Sequence, residues 1–352
     1  MKQKIYFVSN KSTQTIGGVQ TIMRLIEEAY PDHPFVEMPI LDSKKDLDYS
    51  LLDNVEVVQL LSKINDYVDA TIENLFKKEE KELIAGGSKI IVFGVQKLFL
   101  VPEDFLKNNE VIVFQSTRPD LTFGLPKLSE VPMILEKKVE QIDKFVTFTA
   151  YDKAIIKEII DESDIDSAIE WYTIPNPSKT KREKITKYTK NVMYLGRFVF
   201  FQKNILEYVK VNERLADHFQ LNMYGYGPAE PVLKAFDINL AGKINDINEV
   251  AAKNSVLLLL SSSEGFGNVL VEALSVGMPI VVYDSYPAAK SIVTDGVGKL
   301  VPYGDIHGVV AAVEEILESE DSFQKYSKRA FEASKRYEKE EIIKQYKEVL
   351  DL

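Results

Sequence analysis

The chain of 352 residues contains no cysteine, which removes disulfides and thiolate chemistry and fits a reducing compartment. Histidine is almost as scarce. His33, His218 and His307 stand far apart without metal-ligand spacing, so a histidine-built zinc site is not expected. Long apolar runs are missing too: no stretch approaches the roughly 20 residues of a spanning helix. The opening MKQKIYFVSN has too short an apolar core for a signal peptide and reads as a first buried strand. Positive charge is not in excess. A formal net charge of -11 makes a nucleic-acid partner unexpected. What remains is a soluble, cytoplasmic globular protein, with peripheral contact at the inner face of a membrane left open. Its 45% hydrophobic and 28% charged residues suit a packed chain rather than a disordered one, and its length suits two domains.

Short apolar runs alternate with helical patterns, the signature of α/β layers around a parallel sheet. Strands are expected at 4–10, 55–60, 89–94, 110–116 and 144–149, and a helix from Val19 to Tyr30 with Val19, Ile22, Met23 and Ile26 on one face. These form an N-terminal domain over 1–172. A basic, proline-containing stretch at 173–190 reads as a linker, its charges those of a solvated loop or of a rim facing an anion or a membrane. A second series of strands at 191–196, 220–225, 256–261, 279–284 and 298–303 gives a C-terminal domain over 191–325. Charged helices at 326–352 are expected to return to the N-domain.

The most informative passage is VLLLLSSSEGFGNVLVEALSVGMPIVVYD, from Val256 to Asp284. A buried strand ends in serines. Glu264, Gly265, Phe266 and Gly267 then make a turn that opens a helix at Asn268 and Val269. Glycines let a backbone approach a ligand closely, and the free amides of a helix N-terminus attract phosphate. Glu264 falls beyond a strand's carboxyl end, where open α/β sheets bind ligands, and Glu272 follows inside the helix.

This string resembles the retaining GT-B transferases of glycosyltransferase family 4. The resemblance implies a GT-B fold, two Rossmann-like domains facing a cleft, with a nucleotide-sugar, expected to be a UDP-sugar, in the C-domain. It implies that Glu264 contacts donor-sugar hydroxyls, that Glu272 binds the ribose, and that Gly265, Phe266, Gly267, Asn268 and Val269 hold sugar and phosphate. YLGRFVFFQKN (194–204) resembles the family's strand, GR and lysine element, so Arg197 and Lys203 would stabilise the leaving diphosphate without a metal. They lie six positions apart where five are expected. MYGYGP (223–228) resembles a glycine-rich strand end with Tyr226 in place of an acidic residue, and LAGKIND (240–246) the loop beside the nucleobase, at Ile244 or Lys243.

In the N-terminal half, Gly17 and Gly18 resemble the loop that reaches across the cleft to the donor diphosphate. The family's histidine after a middle strand is absent. Gln115, Ser116 and Arg118 stand there and are expected on the acceptor side. Asp46 and Asp48 form a D-x-D string of the kind that holds metal in other transferases, but in a lysine-rich loop; no metal or other cofactor is expected. The resemblance thus implies a retaining, metal-independent hexosyltransferase. Its acceptor would be a glycan, lipid-linked sugar or glycoprotein of the cell envelope, and a partner subunit stays open. Two rivals remain. A sugar-nucleotide epimerase would need an acid–base pair that the N-terminal half does not offer. A non-catalytic subunit assisting a partner transferase fits the missing histidine and the altered spacing, but not the intact run from Glu264 to Glu272.

Overall fold

The structure, a computed structural model, describes residues 3–9, 18–39, 76–77, 79–119, 138–162, 165, 167–215, 218–294 and 296–351. Gly17, the strand expected at 55–60, and Asp46 and Asp48 lie outside them.

The first sheet holds β1 (Ile5–Ser9), β2 (Phe35–Pro39), β3 (Lys89–Phe93), β4 (Glu110–Phe114), β5 (Lys144–Thr147) and β6 (Glu170–Thr173) in the order β2-β1-β3-β4-β5-β6. The second holds β7 (Asn191–Arg197), β8 (Gln220–Tyr226), β9 (Asn239–Gly242), β10 (Val256–Leu259), β11 (Ile280–Asp284) and β12 (Gly298–Pro302) in the order β12-β11-β10-β7-β8-β9. Pairing is parallel throughout. Parallel strands need crossovers and bury both faces, hence their unbroken apolar runs. Tyr6, Val8, Ile90, Val92, Val111 and Val113 face one core of the first sheet. The alternate residues Ile5, Phe7, Ile91, Phe93, Ile112 and Phe114 face the other.

The strands that sequence reasoning missed, β2, β6 and β9, all lie at sheet edges. An edge strand is half-solvated and loses the apolar run. β6 reads Glu170-Trp171-Tyr172-Thr173 with exposed ends, and β9 is mostly exposed. A short helix, Pro287–Ile292, lies between β11 and β12, which pair in parallel.

The helices used below are α1 (Gly18–Ala29), α2 (Ala150–Asp161), α3 (Asn268–Ser275), α4 (Glu320–Ala333) and α5 (Lys339–Leu350). The last completes the core of the other end of the chain. Ile342, Tyr346, Val349 and Leu350 of α5 are buried in one cluster with Ile5, Ile22, Ile26 and Phe114, and the Tyr346 and Phe114 rings lie 5.6 Å apart. Lys144 Nζ donates to the Val349 carbonyl at 2.8 Å, and Lys339 pairs with Glu28 on α1.

In the segment after β6 the side chains of Lys181, Lys184, Lys187 and Lys190 are exposed, as in a solvated loop, but the backbone is anchored. Glu183 N donates to the Ser275 carbonyl at 3.0 Å and Ile185 N to that of Val276 at 3.2 Å, fastening it to the end of α3. The Arg182 guanidinium lies 3.9 Å over the Phe331 ring of α4 and donates to the Phe331 carbonyl and to Ser334 Oγ. An arginine spread over a ring and two acceptors is a structural fastener.

The shared core makes a testable statement. Tyr346→Ala empties a fully buried site and should destabilise the first domain by about 3–5 kcal/mol. The half-exposed Tyr151 offers a control, Tyr151→Ala, expected within about 0.5 kcal/mol of the parent. Urea denaturation of the two variants checks both.

Candidate functional site

In the second sheet the chain order reverses between β7 and β10, which lie side by side. Loops leaving such neighbours run to opposite sides and open a crevice at their carboxyl ends. Arg197 ends β7, and Glu264 lies in the turn after β10. Between the two domains at this point is a cleft of about 820 Å³, within the range of small-molecule sites. Gly18, Ser116, Arg197, Lys203, Ile244, Gly265, Asn268 and Glu272 are among its lining residues, with Glu264, Phe266, Gly267 and Val269 beside them.

The loop carrying Lys203 is sewn to the end of β10. Asn204 Nδ2 donates to the Leu260 carbonyl at 2.9 Å, and Ser262 N to that of Gln202 at 2.9 Å. Lys203 Nζ thereby reaches Glu264 Oε1 and forms an ion pair in which both side chains are largely buried. Ser261 Oγ donates to the same carboxylate oxygen at 2.6 Å. The serine run thus has separate tasks: Ser261 holds Glu264, and Ser262 holds the lysine loop. Upstream, the glycines of 223–228 permit contact between strand ends. A Cβ on Gly225, whose φ is +142°, would fall 1.8 Å from the Gly196 carbonyl oxygen, so any side chain there would push β8 away from the end of β7 that carries Arg197.

The turn at 264–267 ends with Gly267 in the left-handed region, φ 86° and ψ 54°, and no side chain caps α3. The orphan amides of the first turn therefore face the cleft without a competing protein oxygen from a cap. Glu272 is one turn further on and 5% exposed, with Lys179 Nζ 3.6 Å from Oε1. Burial raises the Glu272 carboxyl above its ordinary range, and Lys179 opposes that shift. Nearby, Asn176 Nδ2 donates to Asn268 Oδ1 at 2.9 Å. The buried Asn176 Oδ1 and the buried Tyr286 hydroxyl have no hydrogen-bond partner among the described residues. Asn176 lines the cleft.

On the N-domain wall, Gly18 begins α1 with Asn268 Nδ2 3.5 Å from where its Cβ would stand. Ser116 lines the cleft, but Gln115 does not. Gln115 is 1% exposed: its amide accepts from Phe148 N at 3.0 Å and donates to the Thr117 carbonyl and to Asp152 Oδ1. Asp152 in turn belongs to the cap of α2, bonded by Thr149. Gln115 is thus an internal brace that shapes the wall where Phe148 meets Phe266, rings 5.7 Å apart, across the domain boundary. The half-buried Arg118 is not among the lining residues either. Conversely, sequence reasoning missed Lys97, Phe148, Asn176 and Lys179, all of which line the cleft. Asn176 and Lys179 fall in the proline-containing stretch read as a linker, and Lys97 sits in an ordinary-looking VQKLFL.

With this geometry described, comparisons with known proteins can be placed on it. Residues 189–319 match the family model described as Glycosyl transferases group 1, which covers the second domain. The chain is 26% identical over 295 residues to an exopolysaccharide phosphotransferase of Streptomyces coelicolor, spanning 80% of this chain and 30% of that protein. It is 27% identical over 224 residues to an uncharacterized glycosyltransferase of Haemophilus influenzae, 60% of this chain and 62% of that one. The chain therefore spans less than two thirds of either relative. Among solved structures, the apo form of the lipopolysaccharide outer core galactosyltransferase WaaB superposes with a TM-score of 0.72 at 18% identity, over 99% of both chains. The fold is GT-B.

The setting of Glu272 predicts a trade of stability against binding. Its pKa is higher in the folded chain than unfolded, so the folded state holds its proton more tightly. Wild-type stability falls as pH rises from the unfolded value of 4.5 through the folded one, and that loss persists at neutral pH. Glu272→Gln should raise Tm at pH 7, with the gain shrinking towards pH 4, while affinity for any ligand that donates to the carboxylate drops. Thermal unfolding across pH 4–8 checks the sign; a lower Tm at pH 7 in the variant would contradict it.

Proposed function

We propose that this chain is a retaining glycosyltransferase that takes a sugar from a nucleotide-sugar, a UDP-sugar, and moves it to a glycan, lipid-linked sugar or glycoprotein of the cell envelope. The observation that carries the reading is the cleft's buried charge: Glu264 with Lys203, and Glu272 beside an uncapped helix N-terminus, at the reversal point of a Rossmann-like sheet. The group 1 transferase match over the same residues supports it. The envelope acceptor follows the exopolysaccharide and lipopolysaccharide named for the relatives.

In this reading the diphosphate lies over the first turn of α3 and meets Arg197 and Lys203. Glu264 accepts hydrogen bonds from donor-sugar hydroxyls, and Glu272 accepts from the ribose. Ile244 lies against the base. The anomeric carbon–phosphate oxygen bond breaks as negative charge grows on the diphosphate, where two cations and the helix amides stabilise it. An acceptor hydroxyl on the same face forms the new carbon–oxygen bond and gives its proton to the departing phosphate oxygen beside it. Configuration is retained and no metal is needed, because Arg197 and Lys203 supply the charge. Gly18 faces the diphosphate from the opposite domain, and the domains close over the donor. The chain works in the cytoplasm, at the inner membrane face where its acceptor is presented, alone or beside a partner subunit. No described helix is long and apolar enough to cross a membrane.

Removing a donor to growing charge costs about 10²–10³ in rate. Arg197→Ala should therefore lower kcat about 100-fold or more while UDP-sugar still binds, and activity should survive excess chelator. Product anomers read by NMR complete the test. An inverted product, or loss on chelation restored by manganese, would overturn the mechanism.

A further inference from the structure

The first sheet has a reversal point of its own, between β1 and β3, and the turn after β3 stands on the N-domain wall of the cleft. Gly94 ends that turn with φ +101° and opens a 3-10 turn over Val95–Leu100. A Cβ on Gly94 would fall 2.5 Å from Ser116 Oγ, 3.0 Å from Gln96 Oε1 and 3.1 Å from Lys97 Nζ. Three polar groups from the ends of two adjacent strands therefore converge on one notch that the glycine leaves open. Lys97 and Ser116 both line the cleft.

The lysine makes this notch unusual. Its ammonium donates to the Phe93 carbonyl, and no carboxylate faces it among the described residues. Among the described residues, by contrast, Lys89 and Lys144 share Glu110, and Lys203 has Glu264. Partial burial in the cleft wall lowers the Lys97 ammonium to about 8, with no counter-charge to oppose the shift. A desolvated cation is costly unless something pairs with it. The Phe93 carbonyl uses one of its three protons, which leaves two for a ligand.

We propose that Lys97 and Ser116, at the notch over Gly94, bind a phosphate group carried by the acceptor substrate. Phosphate suits the set better than carboxylate. Its three terminal oxygens can meet the two remaining ammonium protons and the serine hydroxyl together, which the two oxygens of a carboxylate cannot. Such a charge-assisted contact holds the acceptor on the wall opposite the donor turn. That the bound phosphate belongs to a sugar acceptor rests on the transferase reading above; the anion site does not.

The test uses the full chain with the donor side filled by saturating UDP, so that added anions cannot occupy the diphosphate site. Glycerol 1-phosphate, succinate and glycerol are titrated by calorimetry. The expected result is binding of glycerol 1-phosphate, none of glycerol, and succinate at least 10-fold weaker. Lys97→Met should weaken glycerol 1-phosphate at least 10-fold and Lys97→Arg much less, with UDP affinity unchanged in both as proof of an intact fold. Ser116→Ala should show a smaller loss. Equal binding by wild type and Lys97→Met, succinate binding as well as the phosphate, or no anion binding at all would overturn the proposal. Failure of wild type to bind UDP would instead strike the transferase reading; the Lys97→Met comparison is then made without UDP, with circular dichroism as the proof of an intact fold.

Discussion

A carboxylate buried at the cleft must be paired, and that constraint organises the second domain. Two glutamates lie at the reversal point of the sheet with little access to water, and each has a lysine against it. A buried carboxylate without a partner would shift its titration or unfold its surroundings. The loop at 198–204 and the segment at 176–182 are therefore fixed where their lysines must reach. Hydrogen bonds to Leu260, Ser262 and Ser275 hold them there.

In the proposed reaction this pairing is provisional. A diphosphate competes with Glu264 for Lys203, and sugar hydroxyls take the carboxylate in exchange. Lys179 similarly gives up Glu272 to a ribose. Each substitution replaces one satisfied polar contact by another, so the site is preorganised for a donor at little cost in reorganisation. The same economy extends to the domain boundary. Asn176 lies on the crossing chain and bonds Asn268 at the mouth of α3, while Phe148 and Phe266 meet beside it. The C-terminal α5 locks the two ends of the chain together by burying Tyr346 against Phe114.

Much of this was legible in the sequence because it depends on local pattern. Strands buried on both faces appear as apolar runs, and the run from Glu264 to Glu272 combines strand, glycine turn and helix in one continuous segment. What escaped depends on tertiary context. Edge strands such as β9 lack the run. Gln115 and Ser116 are neighbours in sequence, yet one braces Phe148 and Asp152 inside the domain while the other faces the cleft, a distinction set by strand alternation and by partners far along the chain. Lys97 carries no motif. Its position matters only because Gly94 turns the chain towards Ser116, which lies on the next strand end. Lys203 was legible as a cation near the diphosphate, but its pairing with Glu264 was not, since sixty-one positions separate them.

The central claim, that Glu264 and the donor diphosphate share Lys203, is tested most directly by calorimetric titration of UDP into wild type and Glu264→Gln. UDP has no sugar to engage Glu264. Neutralising that residue frees Lys203 and removes a negative charge facing the diphosphate, so UDP should bind the variant more tightly, by about 1 kcal/mol or more on the scale of a charged hydrogen bond. Unchanged or weaker UDP binding in a folded Glu264→Gln variant would contradict the account.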